Sequence, residues 1–299
     1  MTNWDFPYSD PVDISIDSWA SGSIVVAGEP TTEVTVEVLP TRKSGDIADL
    51  ITQVQVSFED GQLYVRGPRL GSFRRNKGLD LIIKAPAGSS CAAKTASADV
   101  LCVGELSALA MHTASGDVTA ALVTGDVTVH SASGDVLLNK AGGNLAIRTA
   151  SGDIRATEVD GDAQFNSASG DVAVGYCSGS VVAHTTSGDI EVGAIAAGRL
   201  DLASTSGDVE VSVLPGIGVY LDLASTSGEI RSDLDPGDDQ GGEADAAVEI
   251  RCRTLSGDIR IRKARPVERL ADQLAVTLPG TSSGDTSTGN TDVVPPRSE

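Results

Sequence analysis

The sequence predicts an all-β protein: a single-stranded β-solenoid, or β-helix, with 18-residue coils and a β-rich N-terminal cap. Three observations carry this. A Ser-Gly-Asp marker recurs at a constant interval, apolar residues come in period-two pairs between the markers, and the composition is rich in Gly (33 of 299 residues) and poor in aromatics (3%). Many short strands joined by tight turns need that composition, and a thin core has little room for large rings.

The marker runs from Thr95 to Asp99, then from Thr113 to Asp117, Ser131 to Asp135, Thr149 to Asp153, Ser167 to Asp171 and Thr185 to Asp189, each step being 18 residues. It continues from Ser204 to Asp208, Ser225 to Glu229 and Thr254 to Asp258, where the steps grow to 19, 21 and 29. A fixed step is the signature of a repeat architecture. A weaker Gly recurs halfway, at Gly125, Gly143, Gly161 and Gly179, so each coil holds two strand-turn units of about nine residues.

With Thr113 as position 1, positions 6 and 8 carry pairs such as Val136/Leu138 and Ile154/Ala156. Positions 15 and 17 carry pairs such as Val127/Val129 and Leu145/Ile147. Alternation at period two places each pair on the inside of a strand. Counting on by twos from position 17 points the hydroxyls of positions 1 and 3 inward as well. Coils stack at ~4.8 Å, so nine of them from Thr95 onward form a rod roughly 40 Å long. An up-and-down barrel is the alternative fold, but it does not demand a constant step with the same side chain at every turn.

Three regions follow. Residues 1–94 are β-rich degenerate coils or a cap holding both tryptophans, Trp4 and Trp19, with a hairpin turn at Glu59-Asp60-Gly61-Gln62. Residues 95–263 are the regular solenoid. In residues 264–299, Val267, Leu270 and Leu274 share one face of a short helix candidate, and past Pro279 the Ser/Thr/Gly-rich chain is too poor in apolar residues to fold.

The net charge of −20 argues against nucleic-acid binding, which draws its affinity from phosphate contacts, and against docking to an anionic membrane. No stretch approaches the ~18 apolar residues that span a bilayer. The N-terminus lacks a basic start followed by an apolar run, so a cytoplasmic location is the default expectation, with export by another route left open.

The most specific chemical feature is a column of carboxylates: Asp117, Asp135, Asp153, Asp171, Asp189 and Asp208, preceded by Asp99 and continued by Glu229 and then Asp258. Neighbours ~5 Å apart repel by about 1 kcal/mol even in water, so something offsets that. The first reading is hydrogen bonding to backbone N–H groups of each residue's own turn. The second is a row of cations, Ca²⁺ by ligand chemistry. The Ca²⁺-binding nonapeptide repeat does not match, because it places its Gly pair and Asp differently.

All three histidines, His112, His130 and His184, fall at position 18, in a column shared with Lys94, Arg148 and Asn166. The position faces outward. His112 and His130 are close enough to share a metal, but the next member, Arg148, is cationic; a modestly basic stripe for a partner is the other functional reading. Cys91, Cys102 and Cys252 fall on inward positions and Cys177 at a second corner. They read as reduced core residues, since no inward histidine stands beside one as a base. Two basic clusters, from Arg66 to Gly78 and from Arg260 to Arg265, are either solvated turns or partner contacts at the ends of the repeat. Nucleotide-binding, serine-hydrolase and zinc-protease motifs are lacking.

The repeated TASGDV and SASGDV units, preceded by a β-rich segment ending in LIIKAPAGSS (Leu81 to Ser90), resemble a bacterial putative-adhesin family of uncharacterised β-strand-repeat domains, over roughly residues 10–263. The resemblance implies a β-solenoid-like fold and an adhesion or binding role, and it brings no catalytic residues with it. The expectation is therefore a non-enzymatic module that presents a rigid surface to a protein or glycan, without a cofactor, as a monomer or an end-to-end homo-oligomer. The alternatives are a scaffold that assembles end to end like the bactofilins and, third, a polysaccharide-acting solenoid enzyme, which would need a groove with two carboxylates.

Overall fold

The computed structural model describes residues 2–41, 48–68, 78–195, 197–234 and 248–264. The helix candidate at Val267, Leu270 and Leu274, the tail past Pro279 and most of the Arg66–Gly78 cluster lie outside the described residues. The chain runs through β1 (Thr2–Pro7), β2 (Asp13–Glu29), β3 (Glu33–Pro40), a single helical turn α1 (Ala48–Ile51), β4 (Gln55–Glu59), β5 (Gln62–Arg66), β6 (Leu79–Pro86) and the long β7 (Ser89–Thr113). Thereafter strands alternate around each coil: β8 (Val118–Val123), β9 (Val127–Ser131), β10 (Val136–Ala141), β11 (Leu145–Arg148), β12 (Ile154–Val159), β13 (Ala163–Asn166), β14 (Val172–Cys177) and β15 (Val181–Thr185). The series closes with β16 (Ile190–Ile195), β17 (Gly198–Ser204), β18 (Val209–Val213), β19 (Val219–Ser225), β20 (Ile230–Ser232), β21 (Val248–Thr254) and β22 (Ile259–Lys263).

The architecture is the expected β-solenoid. The even-numbered strands from β8 to β18 stack in parallel as one face, with Val118, Val136, Ile154, Val172, Ile190 and Val209 in register. The odd-numbered strands from β9 to β17 form the second face, with Val127, Leu145, Ala163, Val181 and Leu200 in register. Their side chains at positions 6, 8, 15 and 17 are buried, as the period-two pattern requires.

Two details depart from that pattern. Position 11 is a further buried column, made by Val123, Ala141, Val159, Cys177, Ile195 and Val213. Two residues that stay out of the core, such as Asn139 and Lys140, carry the strand around a bend before it, so simple alternation does not reach it. Position 3 is the opposite case. The marker serines Ser115, Ser133, Ser151 and Ser169 are exposed, not inward, because the strand has ended and the chain is turning. The buried residue of that turn is the glycine that follows each of them.

At both ends the order of coils in space differs from their order in sequence. At the N-terminus β2 lies between β7 on one side and β5 and β6 on the other, so the coil that comes first in sequence is second in space. At the C-terminus β21 and β22 insert between β17/β18 and β19/β20. The marker column therefore runs Asp208, Asp258, Glu229, which corrects the sequential stacking expected from the sequence. The N-terminal end is closed by antiparallel strands: β3 on β6, β1 on β3 and β4 on β5. Phe6 and Phe58 stack there with ring centroids 5.0 Å apart, and Tyr8 meets Phe58 edge-on. The β4–β5 hairpin turns at Asp60 and Gly61, with φ of 47° and 77°, the pair of left-handed residues that a tight hairpin uses. Trp19 is not at the end; it is buried inside, its Nε1–H donating to the Leu79 carbonyl at 3.0 Å.

Candidate functional site

The corner that bears the marker is a set of ladders. Each marker carboxylate accepts, through Oδ1, the backbone N–H of the marker residue in the next coil. Asp117 accepts from Asp135 at 2.9 Å, Asp135 from Asp153 at 2.9 Å, Asp153 from Asp171 at 3.1 Å, Asp171 from Asp189 at 2.9 Å and Asp189 from Asp208 at 2.8 Å. The series continues through Asp208 to Asp258 and from Asp258 to Glu229. The expected backbone capping is thus real in kind, but the N–H belongs to the neighbouring coil and not to the residue's own turn. A hydrogen bond to a charged acceptor contributes about 1.5–3 kcal/mol, which outweighs the ~1 kcal/mol of repulsion between exposed neighbours. A second ladder at the half-repeat corner links Asp126, Asn144, Asp162 and Ser180 in the same way.

Behind the carboxylates the position-1 residues are buried or half-buried, and several of their hydroxyls hold the turn. Thr113 Oγ1 accepts the Gly116 N–H, and Ser131 Oγ accepts the Gly134 N–H. Ser204 Oγ donates to the Gly188 carbonyl of the coil below. The ladder is uneven, since Thr149 Oγ1 and Ser167 Oγ lack a hydrogen-bond partner. The marker glycine is required by contact: a Cβ on Gly152 would overlap the carbonyl oxygen of Gly134 in the adjacent coil.

The histidine column lies on the outer side of the second face. His112 pairs with His130, His130 with Arg148, Arg148 with Asn166 and Asn166 with His184. The His112 and His130 rings stack, with centroids 4.8 Å apart and planes 3° from parallel. Partial burial, then the neighbouring His112 and Arg148, hold the His130 imidazole below its ordinary value. His184 stands apart from the other two, beyond Arg148 and Asn166. A shallow depression of about 210 Å³ lies here, lined by His130, Ala146, Ile147, Arg148, Gln164 and Asn166. Among the described residues no three His, Cys, Asp or Glu side chains are grouped as metal ligands.

The four cysteines are buried thiols. Burial pushes Cys177 up, and pushes Cys252 up to about 12. Cys102 is raised first by its hydrogen bond with Cys91 and then by burial. Those two sit on opposite inner walls, opposite Val26 and Ile14 of β2, a closeness that comparison within single columns does not find. The basic clusters are largely neutralised where they are described: Arg66 bonds Asp17, Arg260 bonds Asp208 and Asp258, and Arg262 bonds Glu210. No helix among the described residues is long and apolar enough to cross a membrane.

Several solved structures are similar to this chain. A putative adhesin from Bacteroides fragilis NCTC 9343 is 16% identical, with 87% of this chain and 96% of that one covered at a TM-score of 0.49. A putative adhesin from Parabacteroides distasonis ATCC 8503 is 13% identical, with 87% and 96% covered at 0.47. A putative lipid binding protein from the same organism is 14% identical, with 88% and 96% covered at 0.39. No curated protein matches the chain. The match that places it is to a family, the Toastrack DUF4097 domain, which spans residues 12–262 and includes every coil described above; the chain belongs to that family.

Proposed function

We propose that the protein is a non-enzymatic, adhesin-like binding module that presents the outer side of its second face to a glycan or protein. The observation that carries this is the straightness of that face. Ala114, Ala132, Ala150 and Ala168 are exposed at one repeat position at the edge of this face, beside the His112, His130 and Arg148 column, and their carbonyls accept the N–H groups of Ser133, Ser151, Ser169 and Ser187 in the next coil, which keeps them aligned. Small side chains in line make a flat, pre-ordered surface, and a rigid surface lowers the ordering cost of binding. The test is an array of glycans and extracellular proteins probed with the protein and with an Ala132→Glu/Ala150→Glu variant. Binding that the variant loses, with its melting temperature kept, supports the module.

A specific feature favours a second reading, end-to-end assembly. Among the described residues β19 and β20 form the outermost C-terminal coil, with Tyr220 and Ile230 exposed at 40% and 43%. An open strand edge is a template for pairing. Light scattering that rises with concentration, together with an array that stays blank, supports the scaffold and removes the module.

A further inference from the structure

The two long faces share one backbone but not one chemistry. From Ala92 to Thr186 the outward positions of the second face cover six coils, and none of them is a carboxylate. They hold alanines, threonines, Val182, Gln164 and Asn166 around the column Lys94, His112, His130, Arg148 and His184. In a chain with 42 Asp and Glu against 22 Lys and Arg, a lane of that length without an acid is a sharp local departure. Among the described residues none of the five basic side chains makes an ion pair, whereas on the first face Lys140 binds Glu158 at 2.6 Å and Asp160 at 3.2 Å.

The groups around His130 are these. His112 of β7 and Arg148 of β11 flank it. Asp126 and Asp135 occupy the corners before and after its strand, and each commits Oδ1 to a ladder bond. His112 has Lys94 one repeat below it; Thr95 and Thr113, the next residues along, are joined by a hydrogen bond. His184 lies between Asn166 and Ala203. The lane ends at Asp17, which Arg66 already holds and Lys94 influences, and at Asp201, paired with Val182.

We propose that this lane binds an extended, carboxylated polysaccharide lying along the solenoid axis, with carboxylates over Lys94, His112, His130 and Arg148, and that binding strengthens as pH falls through the imidazole range. The inference rests on the module reading and names its ligand class. Cationic positions recur at the ~4.8 Å strand spacing, so a polymer with regularly placed anions engages several, whereas a compact anion reaches one or two. Arg148 offers a planar fork for a carboxylate, and the amides of Gln164 and Asn166 suit sugar hydroxyls beside the depression. A glycan fits better than an acidic peptide, because strand-like peptide docking needs an open edge and the second-face strands are paired on both sides here. The net charge slows approach but does not forbid contact, since fields are screened beyond ~8 Å at physiological salt. Without ligand, burial and the flanking charges oppose protonation of His130. A carboxylate above it reverses that, so binding takes up protons.

The experiment is calorimetric titration of the full chain with linear polygalacturonate at about pH 5.5 and about pH 8, either side of the imidazole range. Poly-glutamate serves as a second titrant. The variants are Arg148→Glu, His130→Gln and, on the first face, Lys140→Gln. Binding at the lower pH is expected to weaken about tenfold or more at the higher pH and in Arg148→Glu, roughly 1.4 kcal/mol, and to weaken in His130→Gln, with Lys140→Gln unchanged. No binding at the lower pH, equal affinity at both, equal weakening by Lys140→Gln, or tighter binding of poly-glutamate each overturns the proposal. If polygalacturonate fails while the array shows a ligand lost in Ala132→Glu/Ala150→Glu, the module stands and only the ligand class falls.

Discussion

The first and second faces of this solenoid are copies of one repeat seen from two sides, yet one is self-satisfied and the other is not. On the first face charge meets charge: Lys140 with Glu158 and Asp160, Arg155 with Asp153. On the second face, from Lys94 to His184, the cations stand in a row with neutral neighbours, and two imidazoles stack on each other. The repeat fixes which positions point out. It does not fix what stands there, because an outward side chain is not constrained by the core. Structure therefore explains the shape of both faces, and the acid-free lane from Ala92 to Thr186 is what the proposed binding role accounts for.

The largest effects should come from residues that both faces share. Phe165→Ala empties the largest fully buried side chain of the regular coils, which lies behind the second face. A loss of about 3–5 kcal/mol is expected in denaturant unfolding. Amide exchange in that variant should quicken on both faces together; exchange confined to β11, β13 and β15 would show that the faces are separable units. Gly152→Ala drives a methyl into the Gly134 carbonyl and should cost about 1–3 kcal/mol, against less than about 0.5 kcal/mol for Ala150→Ser, two residues away on the exposed lane. Asp153→Ala removes the acceptor for the Asp171 N–H and should cost about 1–2 kcal/mol. A melt with EDTA and then with millimolar Ca²⁺ completes this test. A rise with Ca²⁺ would assign the outer Oδ2 atoms of the column to cations, and an unchanged melting temperature would leave the carboxylates as acceptors of the ladder.

The smallest effect separates the faces most cleanly. His130 has its folded value depressed, so between the folded and unfolded values the unfolded chain binds more protons. Its contribution to stability is fully present above the unfolded value of about 6.5 and is lost as pH falls through the lower folded value. The unliganded protein should therefore melt slightly lower on acidification through this window, and His130→Gln should flatten the dependence. A slope that persists in His130→Gln but disappears in Lys140→Gln would move the effect to the first face and break the comparison.

Much of this molecule could be read from its sequence, for a physical reason. A coil that stacks on copies of itself repeats its constraints, so the Ser-Gly-Asp step, the inward pairs and the column of His112, His130, Arg148 and His184 follow from spacing alone. What could not be read is what breaks the copying. Alternation stops wherever the backbone bends, which hid the column from Val123 to Val213 and misplaced Ser115 and its equivalents. The order of the end coils is invisible because each coil carries the same edge: Glu229 and Asp258 are interchangeable as partners for Asp208 until the connections between them are folded. The proximity of Cys91 and Cys102 was missed because it runs across the core and not along a column. The acid-free lane was legible in principle, by comparing outward positions of one face, and needed the register to say which residues share it.

Proton NMR titration of the three histidine rings, with and without linear polygalacturonate, tests the claim that the second face is the working one. In the free protein His130 should titrate below the ordinary imidazole value. With the polymer, His130 should move to a higher value, and the His112 ring signals should shift on contact as well. Histidines that titrate identically with and without the polymer would contradict the account.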